Sequence, residues 1–305
     1  MIEKLRKIVK GTLLENELMA KHTSYGIGGP AKAYIIPKDR NDLEKIIMFS
    51  NTHSIPVYFI GSGSNLLVAD DGVNGIVISP AKSLKNLKIN GTIICAESGV
   101  MLGRLVKECI KRNLTGFESL VGVPGTLGGA LVMNAGAFGG EISNYLTSVD
   151  VMDMNGNIKT YYTDEIKFSY RFSSFKKEEF ILEARFELNQ DNPFIIKENR
   201  KKASSGRRTN QPLKFRSAGS VFKNPKNYAA GYLIDQVGLK GTRIGDAEIS
   251  NHHANFFINH GHASASDITK LIILAKKAVY EKYNVRLELE IKTIGFDSKY
   301  SGIYD

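Results

Sequence analysis

Uninterrupted apolar sequence is scarce in this chain. No run approaches the roughly 18 residues that a membrane-crossing helix requires, and the opening MIEKLRKIVKGTLLENELMA mixes lysine and glutamate throughout, so it does not read as a signal peptide. Cysteine is nearly absent: Cys95 and Cys109 are the only two in 305 residues, which fits a reducing cytoplasm better than a disulfide-stapled scaffold. Neither belongs to a Cys/His cluster with zinc spacing, and the adjacent His252 and His253 cannot share a helical face as a metal pair would, so no metal is expected. The chain has no G-x-x-x-x-G-K-[ST], no G-x-G-x-x-G and no G-x-S-x-G. P-loop NTPases, the dinucleotide fingerprint and the α/β-hydrolase elbow are therefore unsupported. Repeats of 20–50 residues and low-complexity tracts are also lacking.

What remains is an ordinary globular composition, 42% hydrophobic and 24% charged, of a length that suggests two or three domains. The net charge of +10 is concentrated locally: residues 197–216 hold eight Lys/Arg against one Glu. A solvated linker face, a site attracting phosphorylated small molecules, and nucleic-acid binding are all compatible with such a cluster. The last lacks any helical or aromatic recognition pattern nearby.

Along the chain, KAYIIP (32–37) reads as a strand. Residues 41–50 read as a helix that Asn41 could cap, with Leu43, Ile46 and Ile47 on one face, and VYFI (57–60) as a second strand. Leu102, Leu105, Val106, Cys109 and Ile110 form one helical stripe, which makes Cys109 a core residue. Short strands dominate 145–188, with a turn at Asn155-Gly156-Asn157. The polar, basic stretch from Asp191 to Pro212 is the best candidate for a domain boundary. Ser264 and Asp267 form a capping box ahead of an amphipathic helix, and RLELEIKTIG (286–295) alternates as a closing strand.

Two glycine-rich loops stand out. Gly61-Ser62-Gly63-Ser64-Asn65, followed by Leu66, directly succeeds the strand VYFI. Without Cβ atoms its backbone N–H groups can converge on an anion, although a plain strand-to-turn connection also accounts for it. The second segment, GVPGTLGGALVMNAGAFGG (122–140), has seven glycines in 19 positions, suited to close approach of backbone to an extended ligand. Together the two argue for a large cofactor carrying a diphosphate.

These loops, followed by SYR (169–171), AGSVFKNP (218–225) and LELEIKTIG (287–295), closely resemble the UDP-N-acetylenolpyruvoylglucosamine reductase family, from about His22 to Gly295. The resemblance implies an α+β chain with an FAD-binding fold of the PCMH/vanillyl-alcohol-oxidase type. Two lobes, 1–80 and 81–200, would hold FAD, the first completed by the C-terminal strand of 286–305, and an α+β substrate lobe would span 201–295. It further implies a cytoplasmic, monomeric enzyme of bacterial peptidoglycan synthesis that uses noncovalent FAD, NADPH and a UDP-sugar, with neither nucleic acid nor membrane as partner. Another flavin oxidoreductase of the same fold, acting on a different small molecule, is the alternative. No lid insertion follows KNP, so the family's shorter subclass is implied.

Residue by residue, the family pattern assigns Arg171 to stabilising the enolate, Ser220 to donating the proton and Glu290 to completing the active site. An arginine fork suits a carboxylate-bearing enolate, and a carbanion-like centre is basic enough to take a serine proton. If Glu290 donates a hydrogen bond there, burial must raise its pKa. Cofactor contacts fall to Tyr25 in HTSYGIGGPA, to Gly61, Ser62, Gly63, Ser64, Asn65 and Leu66, and in the second segment to Gly122, Pro124, Gly125, Thr126, Gly128, Gly129, Ala130, Asn134, Gly136 and Ala137. Ile181 and Arg207 join them, the latter through a phosphate of FAD or NADPH. Tyr170, Lys223 and Asn224 fall to the substrate, and His22 is structural because this family holds FAD without a covalent bond.

Overall fold

The computed structural model describes residues 2–296 and Ile303. It resolves into two compact units. The first comprises residues 1–15, 33–62 and 75–207, the second residues 16–32, 63–74 and 208–305. The terminal positions of the expected closing segment, 297–302 and 304–305, lie outside the described residues.

Two sheets dominate the first unit. One has four strands in the order Thr12–Leu18, Pro30–Ile36, Val73–Ile78, Val57–Phe59, the last two parallel. The other is antiparallel, with Ile158–Tyr162, Leu146–Met152, Phe180–Glu187, Ile93–Glu97 and Leu87–Asn90 in that order. The central strands of the second sheet are largely buried. Val149, Val151, Ala184 and Phe186 pack there with Leu102, Leu105, Val106 and Cys109 of the helix Leu102–Lys111. Burial pushes the Cys109 thiol up to about 12, so it behaves as a core side chain. Glu97 and Glu183 face each other directly across two strands, a repulsive pairing that the Arg40 fork offsets with bonds of 3.1 and 2.7 Å.

The helix Arg40–Thr52 begins slightly earlier than its apolar stripe suggests. Asp39, not Asn41, is its cap, accepting from the Asp42 N–H at 2.9 Å. Asp42 itself is fully buried and accepts the backbone N–H groups of Lys10, Gly11 and Lys38 at 2.9, 2.9 and 2.7 Å. One carboxylate thus ties three chain segments together by charge-assisted bonds.

The basic stretch after residue 191 is a helix, Pro193–Asn210, rather than an irregular linker. Proline at the first helical position loses no bond there, and the Asn192 side chain accepts from the Phe194 N–H at 2.9 Å. Of this helix Ile196 and Ala203 are buried, so its apolar stripe is too narrow to register as a period. The division between the units falls inside it, after Arg207.

In the second unit the helix Ala265–Tyr283 carries the expected box of Ser264 and Asp267. The Asp70 carboxylate adds bonds from the N–H groups of Ala265 and Ser266 at 2.7 and 2.9 Å, a favourable charge at the positive end of a helix. Its buried face packs on the short helix Ala230–Gln236 and the strands Ala247–Ile249 and Phe257–Asn259. The closing segment is less regular than its alternation suggests. Only Lys292–Ile294 is a strand, parallel to Leu66–Val68, while Leu289 makes an isolated bridge to Phe222.

Replacing Asp42 with Ala removes the shared acceptor of three backbone N–H groups and is expected to cost about 1 to 3 kcal/mol, read as a lowered urea midpoint. An unchanged midpoint would refute the three-way tie.

Candidate functional site

Each unit carries part of the chemistry the sequence singles out. In the first, Gly61 lies against Thr126: a Cβ there would sit 2.3 Å from the threonine hydroxyl. The two glycine-rich loops meet at this point, and the Ser79 hydroxyl fixes Gly61 by donating to its carbonyl at 2.9 Å. Gly122 and Gly125 take positive φ values. Thr126 then caps the short helix Leu127–Val132, accepting from Gly129 N–H at 3.4 Å. Gly128 donates to the Ser98 carbonyl at 2.9 Å, Pro124 and Gly129 are exposed, and Ala130 is buried. Gly136–Ala137 pairs with Gly140–Glu141 as a small ribbon. Ile181 is buried opposite Val151.

Three buried side-chain oxygens along this segment lack a partner: Ser98 Oγ beside Gly128, Ser119 Oγ beside Gly140, and Asn134 Oδ1. Orphaned polar atoms are rare in folded proteins and signal a missing ligand or water. Their concentration along one glycine-rich segment fits a cofactor with many hydroxyl and amide groups.

Arg171 sits in a two-residue turn between Phe168–Ser169 and Phe172–Ser173. Its φ is +56°, a left-handed conformation that costs a non-glycine residue about 1 kcal/mol. Its guanidinium lies 4.9 Å from the centre of the Tyr170 ring, which is itself exposed. Arg207 is close enough to feel that charge. Burial first, and Arg171 second, lower its pKa from the usual arginine value. Its Nε donates to the Val121 carbonyl at 2.8 Å, placing it on the first turn of the glycine segment, and its guanidinium stands 5.8 Å from the Phe138 ring. Two cations within range of each other's charge create a positive field suited to an anion.

In the second unit, a Cβ on Gly63 would lie 1.9 Å from the His22 carbonyl oxygen. Asn65 donates from Nδ2 to the Glu290 carbonyl at 3.1 Å, and its own carbonyl accepts from Lys292 at 2.9 Å. Ser64 is half-buried, and Leu66 starts the strand paired with Lys292. Tyr25 is fully buried with an unpartnered hydroxyl, its pKa raised by burial. His22 lies 3.0 Å from Glu17.

Ser220 and Glu290 come from neighbouring segments. Ser220 bridges Phe256, and the Val221 carbonyl accepts from both Glu290 and Ile291 N–H, at 2.8 and 3.4 Å. Two donors on one carbonyl mark a break in regular pairing, of the kind that re-aims side chains. Glu290 is half-buried, whereas Glu288 is exposed and paired with Lys223 at 3.4 Å. Asn224 is exposed and its Oδ1 accepts from Ala230 N–H at 3.0 Å. The sequence reading missed Asn255. This buried amide accepts from and donates to the backbone of Phe222 at 2.9 and 2.7 Å, while its carbonyl accepts from Val221 at 2.8 Å. It holds the segment bearing Ser220 as a strand neighbour would. Asparagine among apolar neighbours at 254–258 is the one signal that could have found it. Among the described residues no group of His, Cys, Asp or Glu is gathered for a metal, and no helix is long and apolar enough to cross a membrane.

Arg171→Gly is expected to leave stability unchanged within about 1 kcal/mol, because relief at positive φ offsets the entropy gained by the unfolded chain. Arg171→Val, β-branched in the same conformation, costs about 2 kcal/mol. Urea titration compares them, and equal midpoints would contradict the strained-turn assignment.

Residues 31–161 match the family described as FAD binding domain, and residues 211–294 match the C-terminal domain of UDP-N-acetylenolpyruvoylglucosamine reductase. The reductase of that name from Caldanaerobacter subterraneus subsp. tengcongensis is 43% identical over 97% of this chain and 98% of its own length, and that from Clostridioides difficile agrees equally. The crystal structure of the Thermus caldophilus reductase superposes with a TM-score of 0.78 at 34% identity, over 93% of this chain and 99% of that one. Relatives at this identity, matched over nearly their whole length, show the family: the protein belongs to the UDP-N-acetylenolpyruvoylglucosamine reductase family.

Proposed function

We propose that this protein reduces the enol-ether double bond of UDP-N-acetylglucosamine enolpyruvate to give UDP-N-acetylmuramate, with noncovalent FAD and NADPH, as a monomer in the cytoplasm supplying peptidoglycan synthesis. The observation that carries the reading is Arg171, held at positive φ in a short turn between Phe168–Ser169 and Phe172–Ser173. A protein keeps an arginine in a costly backbone conformation when its side-chain direction matters.

Bound FAD supplies the hydride relay, from NADPH to the substrate. The chain's own residues do the rest. The segments Gly61–Leu66 and Gly122–Ala137, with Tyr25, Ile181 and Arg207, would hold the cofactor, and the unpaired oxygens of Ser98, Ser119 and Asn134 would offer acceptors to hydroxyl and amide hydrogens. Hydride reaching C3 of the enolpyruvyl group leaves negative charge at C2 and in the adjacent carboxylate. Arg171 faces that charge as a planar, permanent cation, an interaction worth about 3 kcal/mol when it strengthens in the transition state. Ser220 Oγ donates the proton to C2 and is reprotonated from solvent, while Glu290 completes the charge arrangement around the enolate. Tyr170, Lys223 and Asn224 orient the sugar nucleotide. Lys223 must exchange its exposed pairing with Glu288 for a phosphate, a small cost for a surface ion pair.

Stopped-flow absorbance near ~450 nm, the oxidised flavin band, separates the half-reactions. Ser220→Ala is expected to keep NADPH-driven bleaching within about two-fold while slowing recovery of colour by the enolpyruvyl substrate about 10²–10⁴-fold. Equal slowing of both, with FAD retained, rejects the proton-donor role. Arg171→Lys, which keeps charge but loses the fork, is expected to slow recovery about 10²-fold, and near-normal turnover would contradict the enolate role.

A further inference from the structure

We infer that Asn134 is a positioning residue that holds the Arg171 turn against the glycine-rich segment. The inference rests on the proposed role of Arg171, and it assigns Asn134 a task distinct from contact with the cofactor.

The side chain of Asn134 is fully buried, and its backbone has φ +42°. Asparagine tolerates that conformation better than most residues, which explains the backbone but not the buried amide. Nδ2 donates to Glu141 Oε2 at 2.7 Å and to the Ser169 carbonyl at 3.1 Å. Both partners are acceptors, so both amide hydrogens are assigned and the opposite amide orientation would face oxygen toward oxygen. Ser169 is the residue immediately before the Tyr170–Arg171 turn. On the far side of that turn, the Ser173 hydroxyl donates to the Val132 carbonyl at 2.8 Å. Both arms of the hairpin are therefore fastened to residues two apart in the glycine-rich segment.

Such fastening is needed. The hairpin has two residues per arm, far too few to persist unaided, and its turn contains an arginine at positive φ. Glu141 completes the chain of bonds, because its carboxylate fixes the Asn134 amide that in turn fixes the Ser169 carbonyl. The sequence NAGAFGGE (134–141) thus encodes a small frame for a side chain 37 residues beyond its first member.

Trypsin provides a test that needs no catalysis. It cuts after Arg171, and inside a folded hairpin that bond is reached through local opening. In FAD-free protein, Asn134→Gly, which keeps the backbone conformation and deletes the amide, is expected to speed cleavage at Arg171–Phe172 about ten-fold, the factor that loss of one net hydrogen bond implies. Cleavage after Arg200 serves as the internal standard and should not change. An unaltered rate at Arg171 overturns the inference whatever the enzyme's substrate. If Asn134→Gly unfolds globally, seen as cleavage at all sites, Ser173→Ala is read in the same way with the same expectation.

The second arm is a double-mutant cycle at saturating FAD, following recovery of flavin colour by the enolpyruvyl substrate. Asn134→Gly is expected to slow this step 10–100-fold with Arg171 present and by less than two-fold in the Arg171→Ala background. Equal slowing in the two backgrounds means that Asn134 acts on its own and overturns the inference. If the wild-type flavin is not reoxidised by that substrate at all, the proposed function fails, while the trypsin arm still reads the tie.

Discussion

A Cβ on Gly63 would sit 1.9 Å from a carbonyl oxygen, and one on Gly61 would sit 2.3 Å from the Thr126 hydroxyl. A Cβ at either position would displace its neighbour, so both must be glycine. The rest of the arrangement follows from that close approach. Because Gly61 lies on Thr126, the threonine caps the helix Leu127–Val132 at a fixed place. The residues after that helix therefore leave it at a fixed angle. Asn134, Gly136 and the ribbon beyond inherit their positions from this contact, and the hairpin carrying Arg171 inherits its own from them. The glycines serve first to bring protein to protein, and the surface they leave for a ligand is a consequence of that packing.

Much of this was legible in the chain, for identifiable reasons. The box at Ser264 and Asp267 and the stripe through Leu102, Leu105, Val106 and Cys109 are local signals whose physics acts within one or two helical turns, and both stand in the structure as read. The family resemblance also carried through, since relatives match over nearly the whole chain. Signals that depend on distant partners were read less well. The cap of the helix Arg40–Thr52 moved to Asp39 because two competent polar residues stand in succession there and only geometry chooses between them. The stretch 193–210 hid its helix because two buried residues, Ile196 and Ala203, make no visible period.

The packing roles of Asp42, Asn134 and Asn255 were hard to read from the sequence for a common reason. Each is a buried polar side chain that satisfies backbone groups distant in the chain: Lys10 and Gly11 for Asp42, Ser169 for Asn134, and Phe222 for Asn255. Composition cannot distinguish such residues from solvated ones. A low-dielectric interior makes each of these bonds costly to lose, so three side chains out of 305 have a disproportionate share in holding the loops.

The five-stranded antiparallel sheet ends in Leu87–Asn90 on one side and Ile158–Tyr162 on the other. Each outermost strand carries a lysine, Lys88 and Lys159, and both are exposed. A neighbouring copy that tried to extend the ladder would have to strip water from an ammonium group at the very row where it sought to pair. Such charges are a common guard against edge-to-edge association. Each outermost strand thus carries an exposed cation that works against the addition of a sixth strand.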